Sequence, residues 1–193
     1  MQALVPKVAA CRMREFEPDD LEPCVEILRS NHPDSISPVD LDRFIEFLKA
    51  GTTYFLVIEH EGDLIACGGV EMVGDPDSAT LVHSMVHREY QRRGFGSALL
   101  AAQLSLLEHD DRSIDLWTRT GEEAAGFYER FGFEHSVSSD SAAGATLLWL
   151  NIAPEDIEDA RGLLIERNIQ LVLNAEDDED TPEEEEMESE EEE

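Results

Sequence analysis

Apolar residues along the chain change their spacing several times, and each change marks a predicted element. Residues 8–16 read as a short strand, and residues 21–28 carry apolar side chains at helical spacing. Residues 37–51 repeat the helical pattern, with Ser37 placed to cap the first turn and Gly51 placed to end the last one. The chain is therefore expected to begin with a strand and two helices.

The middle of the chain is rich in β-branched and aromatic residues, which is typical of strands. Residues 52–60 and 64–73 flank the turn sequence EGD, and residues 79–86 follow the turn sequence GDPDS. An apolar helical face then continues to about residue 108, and residues 113–118 form a short β-like run. This order predicts an antiparallel meander, followed by one right-handed β-α-β crossover that returns parallel to the third strand.

The remaining pattern alternates helices with strands. It predicts, in chain order, a helix over 120–133, strands over 133–137 and 145–152, a helix from Pro154 and a short strand over 169–173. Thr120 and Glu123 have the spacing of a capping box, and Gly132 suits a left-handed helix end. The pattern assigns no role to the elements after Ile152.

Charge changes this picture at the end of the chain. Acidic residues outnumber basic ones by 45 to 14, for a formal net charge of −31. Residues 176–193 are almost entirely acidic, so we predict a disordered tail that follows one domain over 1–175. That domain is expected to have its core at about 8–152 and a C-terminal extension over 153–175.

The acidity is not confined to the tail, and Lys7 and Lys49 are the only lysines of the chain. Many carboxylates with almost no lysine are typical of proteins that work in molar salt, where charge repulsion is strongly screened. We therefore expect a halophilic archaeal source. The same acidity disfavours nucleic acid as a partner, and in such a proteome it says little about the substrate.

The three cysteines, Cys11, Cys24 and Cys67, are odd in number and show no CxxC spacing. We expect reduced thiols in a cytoplasmic protein. No apolar run approaches the length of a membrane span, so neither a membrane segment nor a signal peptide is expected. Histidines and cysteines show no ligand spacing, and we expect no metal.

The stretch QRRGFGSALL, residues 91–100, lies between a predicted strand and a predicted helix. No lysine follows its glycines, which excludes a P-loop, and Leu99 stands where a dinucleotide fingerprint requires a third glycine. Unpaired amides at the helix start suit a pyrophosphate, and Gly94 and Gly96 lack the Cβ that would block close approach.

This stretch resembles the acetyl-CoA motif of the GNAT N-acetyltransferase superfamily, and AAGFYERFGF, residues 124–133, resembles the family's later A-x-x-x-Y-E-+-x-G-F segment. The element order over about 8–152 is also similar to that of the family. The resemblance implies an α/β (α+β) fold with helices on both faces of a mixed, mostly antiparallel sheet of six to seven strands. It further implies that the fourth and fifth strands, which run parallel, splay apart around the cofactor.

The resemblance also implies acetyl-CoA as co-substrate. The strand over 81–86 would pair with the pantetheine arm, and an amide near Met85 or Val86 would stabilise the thioester oxyanion. The pyrophosphate would lie on the amides of the following residues, with the two arginines adding charge or facing solvent: Gln91, Arg92, Arg93, Gly94, Phe95, Gly96 and Ser97.

For catalysis, the resemblance places Tyr128 near the cofactor sulfur as the general acid, whereas its position on an apolar helical stripe alone would make it a core residue. The general base stays open. Glu71 is one candidate, His83 is another, and a water relay is a third. Regular alternation would turn His83 away from the cleft and under a helix unless a bulge shifts the register. The family's usual asparagine is replaced by Gly121, which weakens one cofactor contact.

These observations predict an N-acetyltransferase that moves an acetyl group directly to a primary amine in a ternary complex. The amine is expected to contact the first two helices and residues 32–39, and its identity stays open, as does the choice between a monomer and a homodimer. Two alternatives remain: a non-catalytic acyl-CoA sensor or assembly module, which the missing base and Gly121 favour, and a nucleotide-binding module.

Overall fold

The structure is a computed structural model, and it describes residues 11–32, 36–51, 53–72, 74, 77–107, 112–136 and 145–173. The acidic tail predicted over 176–193 lies outside the described residues, as do residues 8–10 of the first predicted strand and part of the segment 32–39.

Within these ranges the chain forms eight strands and five α-helices, with short 3-10 turns at Pro18–Asp20 and Arg88–Tyr90. In chain order they are β1 (Arg12–Glu15), α1 (Leu21–Asn31), α2 (Pro38–Ala50), β2 (Tyr54–His60), β3 (Asp63–Glu71), β4 (Ser78–Val86), α3 (Phe95–Ser105), β5 (Ile114–Gly121), α4 (Glu122–Glu129), β6 (Glu134–His135), β7 (Ala145–Ile152), α5 (Pro154–Glu166) and β8 (Gln170–Val172).

The strands form one mixed sheet in the order β6-β7-β5-β4-β3-β2-β1-β8. The β4–β5 and β1–β8 pairs are parallel, and the other pairs are antiparallel. The predicted α/β fold is therefore correct, with one change. The sheet has eight strands instead of six to seven, because residues 170–172 return to the outer edge and pair with β1.

The local signals placed most elements correctly. Glu61 and Gly62, at φ values of 54° and 94°, form the predicted hairpin turn, and Gly51 ends α2 in the left-handed region. The predicted capping box at Thr120 is wrong. Because β5 pairs with β7 as far as Gly121, Thr120 belongs to the strand, and α4 begins without a side-chain cap.

Two layers of helices cover the sheet. On one face, Phe44 of α2 and Ile27 of α1 pack against β2 and β3. On the other face α3 is buried nearly all round, between the sheet and α5, which explains why its sequence lacks a polar stripe.

The helix and strand after Ile152 complete the fold. Arg161 of α5 donates hydrogen bonds of 3.2 and 3.1 Å to the carbonyl of Ser105, the last residue of α3. A guanidinium at this place satisfies a carbonyl that has no partner within the helix and complements the negative end of its dipole. The C-terminal extension thus anchors the C-terminal end of α3. The N-terminal end of the same helix belongs to the candidate site described below.

Candidate active site

The strands β4 and β5 separate partway along their length. Their parallel register runs from Ser78 opposite Asp115 to Leu81 opposite Thr118, where it ends. Both strands continue beyond this pair, β4 to Val86 and β5 to Gly121. A gap therefore opens in the middle of the sheet, and its closed end lies at the Leu81–Thr118 pair.

A bulge in β4 lies beside this gap. Gly69 is opposite Val82 and Cys67 is opposite Met85, so two residues of β4, His83 and Ser84, face the single residue Gly68. His83 takes a left-handed φ of 50°, and a Cβ on Gly68 would lie 2.9 Å from the Cα of Ser84. Only glycine allows β3 to approach the bulge this closely.

The register beyond the bulge determines which amides of β4 face the gap. The His87 amide donates to the Ile65 carbonyl at 2.8 Å. Since hydrogen-bonded and non-hydrogen-bonded pairs alternate in an antiparallel ladder, Met85 directs its amide to β3, whereas Val86 and Ser84 direct theirs to the gap. The Val86 carbonyl confirms this orientation, because it accepts hydrogen bonds from Asn31 and Gln91 side chains instead of β3.

The loop after β4 leads into the start of α3 with unpaired amides. Gly94, at a φ of 91°, precedes the helix without a side-chain cap, and the first helical bond runs from the Ala98 amide to the Gly94 carbonyl at 3.0 Å. Among the described residues, the amides of residues 92–97 find no acceptor. Such a row at the positive end of a helix dipole is a binding site for an anion.

The side chains of this loop have different roles. Phe95 and Ser97 are buried, so only their amides are available, whereas Arg92 is exposed. The guanidinium of Arg93 lies 5.2 Å from the centre of the Tyr90 ring. Gln91 donates to the Asn31 side chain at 2.6 Å and joins the end of α1 to the loop.

Gly96 occupies an open position on the same loop. A Cβ there would lie 3.5 Å from the ring of Phe127, which is an ordinary contact. Packing within the protein therefore does not require glycine at residue 96, unlike at Gly68.

Tyr128 is both a core residue and a residue that reaches the gap, the two roles that its sequence position suggested. It is only 6% exposed and packs in the core beneath the sheet, yet its hydroxyl is hydrogen-bonded with Thr118 of β5 and Ser84 of β4. The hydroxyl thus lies where the gap begins. Burial raises the pKa of Tyr128 above its ordinary 10, and these two hydrogen bonds partly offset the rise.

A buried polar network supports Ser84 from the other side. Gln103 of α3, at 1% exposure, donates to the Ser84 hydroxyl at 2.9 Å and to the Gly69 carbonyl at 2.9 Å. Gln103, Ser84 and Thr118 were not among the site residues predicted from the sequence. The available signal was a long polar side chain in the middle of an otherwise apolar helix, which has to find a partner once buried.

His83 packs against α2, on the same face as Glu71, because the bulge shifts the register; regular alternation would have turned its ring to the opposite face. Its ring centre lies 4.6 Å from that of Phe47 and 5.0 Å from that of Phe44, although other parts of the residue are open to solvent. Desolvation lowers the pKa of His83 below its ordinary 6.5, and the Glu71 carboxylate partly offsets this effect.

Glu71 lies at the end of β3, where its carboxylate accepts a hydrogen bond of 3.2 Å from the Thr53 hydroxyl. It is opposite Thr80 of β4. Glu71 and His83 therefore lie on the face that α1 and α2 cover, while Tyr128 approaches the gap from the opposite face.

No group of three metal-binding side chains occurs within the part of the chain that the structure describes. The helices of that part are also too short or too polar to cross a membrane.

Comparison with known proteins agrees with this geometry. Residues 51–135 match the family model described as the acetyltransferase (GNAT) domain. No curated protein matches the chain in sequence.

Solved structures share the fold at low sequence identity. Ard1 from Thermoplasma volcanium has a TM-score of 0.61 at 19% identity, over 75% of this chain and 99% of its own. The ribosomal-protein-S18-alanine N-acetyltransferase from Escherichia coli has a TM-score of 0.57 at 22% identity, over 74% and 94%. The PaiA N-acetyltransferase from Thermoplasma acidophilum, solved in complex with coenzyme A, has a TM-score of 0.58 at 14% identity, over 74% and 99%.

The sheet, with its separated fourth and fifth strands, is thus a GNAT fold. Residues 51–135, which hold β2 to β5, α3, α4 and β6, are similar to the acetyltransferase (GNAT) domain.

Proposed function

We propose that the protein is an acetyl-CoA-dependent N-acetyltransferase that acts on a primary amine by direct transfer. The observation that carries this proposal is the Tyr128 hydroxyl, hydrogen-bonded with one residue from each strand where the gap begins. A buried tyrosine at this point is suited to deliver a proton into the gap.

Acetyl-CoA supplies the activated acetyl group, and the chain offers fitting partners for its pyrophosphate and its thioester carbonyl. The amides of residues 92–97 suit the pyrophosphate, and Arg92 adds positive charge beside them. Of the Met85 and Val86 amides predicted to hold the thioester carbonyl, only that of Val86 faces the gap. The Ser84 amide faces the gap as well. We assign the oxyanion contact to this pair.

In the transfer, the carbon–sulfur bond breaks and a carbon–nitrogen bond forms. Tyr128 gives its proton to the leaving thiolate. Its raised pKa keeps the hydroxyl protonated at neutral pH, and Ser84 and Thr118 orient it. The amine loses a proton to a base on the opposite face of the sheet.

We assign that base to His83 ahead of Glu71. His83 lies next to Ser84 in the bulge, whereas Glu71 is opposite Thr80, four residues before Ser84. The lowered pKa of His83 keeps its ring neutral and able to accept a proton at pH 7.

The thiols support direct transfer over an acetyl-cysteine intermediate. Burial raises the pKa of Cys11 to about 11, and a hydrogen bond with Cys24 together with burial raises the pKa of Cys67 well above its ordinary 9.0. Neither thiol is activated as a thiolate nucleophile. We further propose that the domain extends to residue 175 and works in the cytoplasm of a cell with high internal salt.

The direct test is release of free thiol when acetyl-CoA is mixed with a panel of amines in molar KCl. Turnover that Tyr128→Phe strongly reduces is the expected result. Tight coenzyme A binding without turnover of any amine would identify an acyl-CoA sensor instead. Displacement of coenzyme A by ATP or NAD would overturn both assignments.

A further inference from the structure

Five residues from five strands form one straight line across the sheet. Glu71 is opposite Thr80, Thr80 is opposite Trp117, Trp117 is opposite Trp149, and Trp149 is opposite Glu134. Directly paired residues project from the same face of a sheet. We call this set the cross-sheet row. Two indoles lie at its centre, and a carboxylate lies at either end.

The row projects from the face that α1 and α2 share, and not toward α4. Leu116 and Thr118, the neighbours of Trp117, are buried on the α4 side. His135, the neighbour of Glu134, contacts Glu129 of α4 at 2.7 Å. Since side chains alternate along a strand, Trp117 and Glu134 point the other way.

Both tryptophans remain partly exposed, and their ring centres are 6.1 Å apart with an angle of 30° between the planes. The paired rings form a platform with electron-rich faces, which attract a cation more strongly than any other aromatic side chain does. Asp115 adds a third carboxylate on this face, two residues before Trp117. Arg119 is two residues after Trp117, towards the open end of the gap, and places a positive charge on that side of the platform.

The row borders the proposed reaction site. Thr80 and Trp117 immediately precede the Leu81–Thr118 pair at which β4 and β5 separate. His83, the proposed base, lies on the same face. From Thr80 to Ser84 the strand advances four residues, or roughly 13 Å at ordinary strand spacing.

We propose that the acceptor amine carries a second positive charge, and that the Trp117–Trp149 platform holds this charge between Glu71 and Glu134. The proposal rests on the proposed function and names its substrate class: an organic dication such as a diamine, a polyamine or a lysine-rich segment, with roughly 13 Å or less between its two charges. The platform binds the far charge while the near amine reaches the gap.

Binding to the platform can be measured without acetyl-CoA. The chain has only two tryptophans, so intrinsic fluorescence reports the cross-sheet row alone. At constant ionic strength, choline should change the emission at a concentration about tenfold lower than its uncharged isostere 3,3-dimethylbutan-1-ol. Equal responses to the two probes would overturn the proposal.

Specificity is measured with acceptors that differ only in charge. We expect kcat/KM to favour ω-aminoalkyl trimethylammonium ions over amines with a tert-butyl group in place of the trimethylammonium. Trp149→Leu and Glu134→Gln should each lower this ratio several-fold. Glu166→Gln, which removes an exposed carboxylate of α5 on the far face, should leave it unchanged. Each ratio divides kcat/KM for the charged acceptor by kcat/KM for the uncharged one. Because the same two amines are used with every variant, the difference in their basicity does not affect the comparison.

The two measurements separate the two hypotheses. Turnover with no preference for the charged acceptor leaves the acetyltransferase intact and removes the dication proposal. Selective binding of choline with no turnover of any amine keeps a cation site but removes its role as an acceptor site. A preference for the uncharged acceptor contradicts the proposal outright.

Discussion

Gln103 of α3 holds the Ser84 hydroxyl of β4 at 2.9 Å, and Ser84 in turn is hydrogen-bonded with the Tyr128 hydroxyl. A residue on the helix that begins at the anion site thus positions the proposed general acid through a single hydroxyl. Gln103 is a positioning residue, because it contacts Ser84 and not the reacting atoms.

Gln103→Met should separate this role from simple stability. The change keeps the volume but leaves the Ser84 hydroxyl and the Gly69 carbonyl without their partner, at a cost of about 1–3 kcal/mol in the free energy of unfolding. We expect kcat to fall with little change in the KM for acetyl-CoA. Denaturant unfolding and steady-state kinetics measure the two effects. A stability loss with unchanged kcat would make the network structural only.

Tyr128→Phe should lower kcat by about 100-fold or more, the usual range for loss of a general acid. Coenzyme A affinity should change little, since the anion site is unaltered. Because burial raises the pKa of Tyr128 above 10, the wild type should keep its proton donor through neutral and moderately alkaline pH. Thr118→Val serves as the control that removes one hydrogen-bond partner but retains the acid.

The acid limb of the pH–rate profile should identify the base. A base works when unprotonated, so activity is lost as pH falls through its pKa in the folded protein. The pKa of His83 is lowered below 6.5, so this limb should lie below pH 6.5. We expect His83→Gln to slow turnover and remove the limb. If Glu71→Gln removes it and His83→Gln does not, the base is Glu71.

The glycines of the anion loop should differ on substitution. Gly94 has a φ of 91°, so Gly94→Ala should lower the free energy of unfolding by about 1–2 kcal/mol. A Cβ at Gly96 would make only ordinary contacts, 3.5 Å from the Phe127 ring and 3.7 Å from the Val86 side chain, so Gly96→Ala should leave stability near that of the wild type. Coenzyme A binding should nevertheless weaken, which calorimetry can measure. Normal affinity in Gly96→Ala would place the pyrophosphate elsewhere.

The melting temperature should rise from dilute buffer to molar KCl, because screening relieves repulsion in a chain of net charge −31. Truncation after Ala175 should preserve the fold, the turnover and most of the salt dependence. A melting temperature independent of KCl would contradict the proposed adaptation to salt.

Sequence patterns predicted the parts of this fold that depend on local chemistry. The EGD turn, the glycine that ends α2 and the helix after Pro154 are all where they were expected, since each depends on a few neighbouring residues. The strand at residues 170–172 gained its role only through β1, which lies more than 150 residues earlier in the chain. Long-range pairing of this kind leaves no periodic signal in either segment.

Some features of the candidate site could likewise be predicted from local sequence, whereas others depend on long-range pairing. The glycine motif predicted the tight loop and the helix start with its unpaired amides, because backbone conformation and helix start are local properties. The choice between the Met85 and Val86 amides depended on the register with β3, and the orientation of His83 depended on the bulge opposite Gly68. Neither can be determined from β4 alone.

The bulge also implies that a more regular sheet would be incompatible with the proposed activity. Removing one residue at His83 would relieve its left-handed conformation and restore a continuous ladder between β3 and β4. The deletion would reverse the orientation of the residues before it relative to the residues after it. The amides that face the gap and the closed end of the gap at Leu81 and Thr118 would then no longer lie in the same site. The more regular protein would be the inactive one, and a selection for thermal stability alone should reveal this deletion.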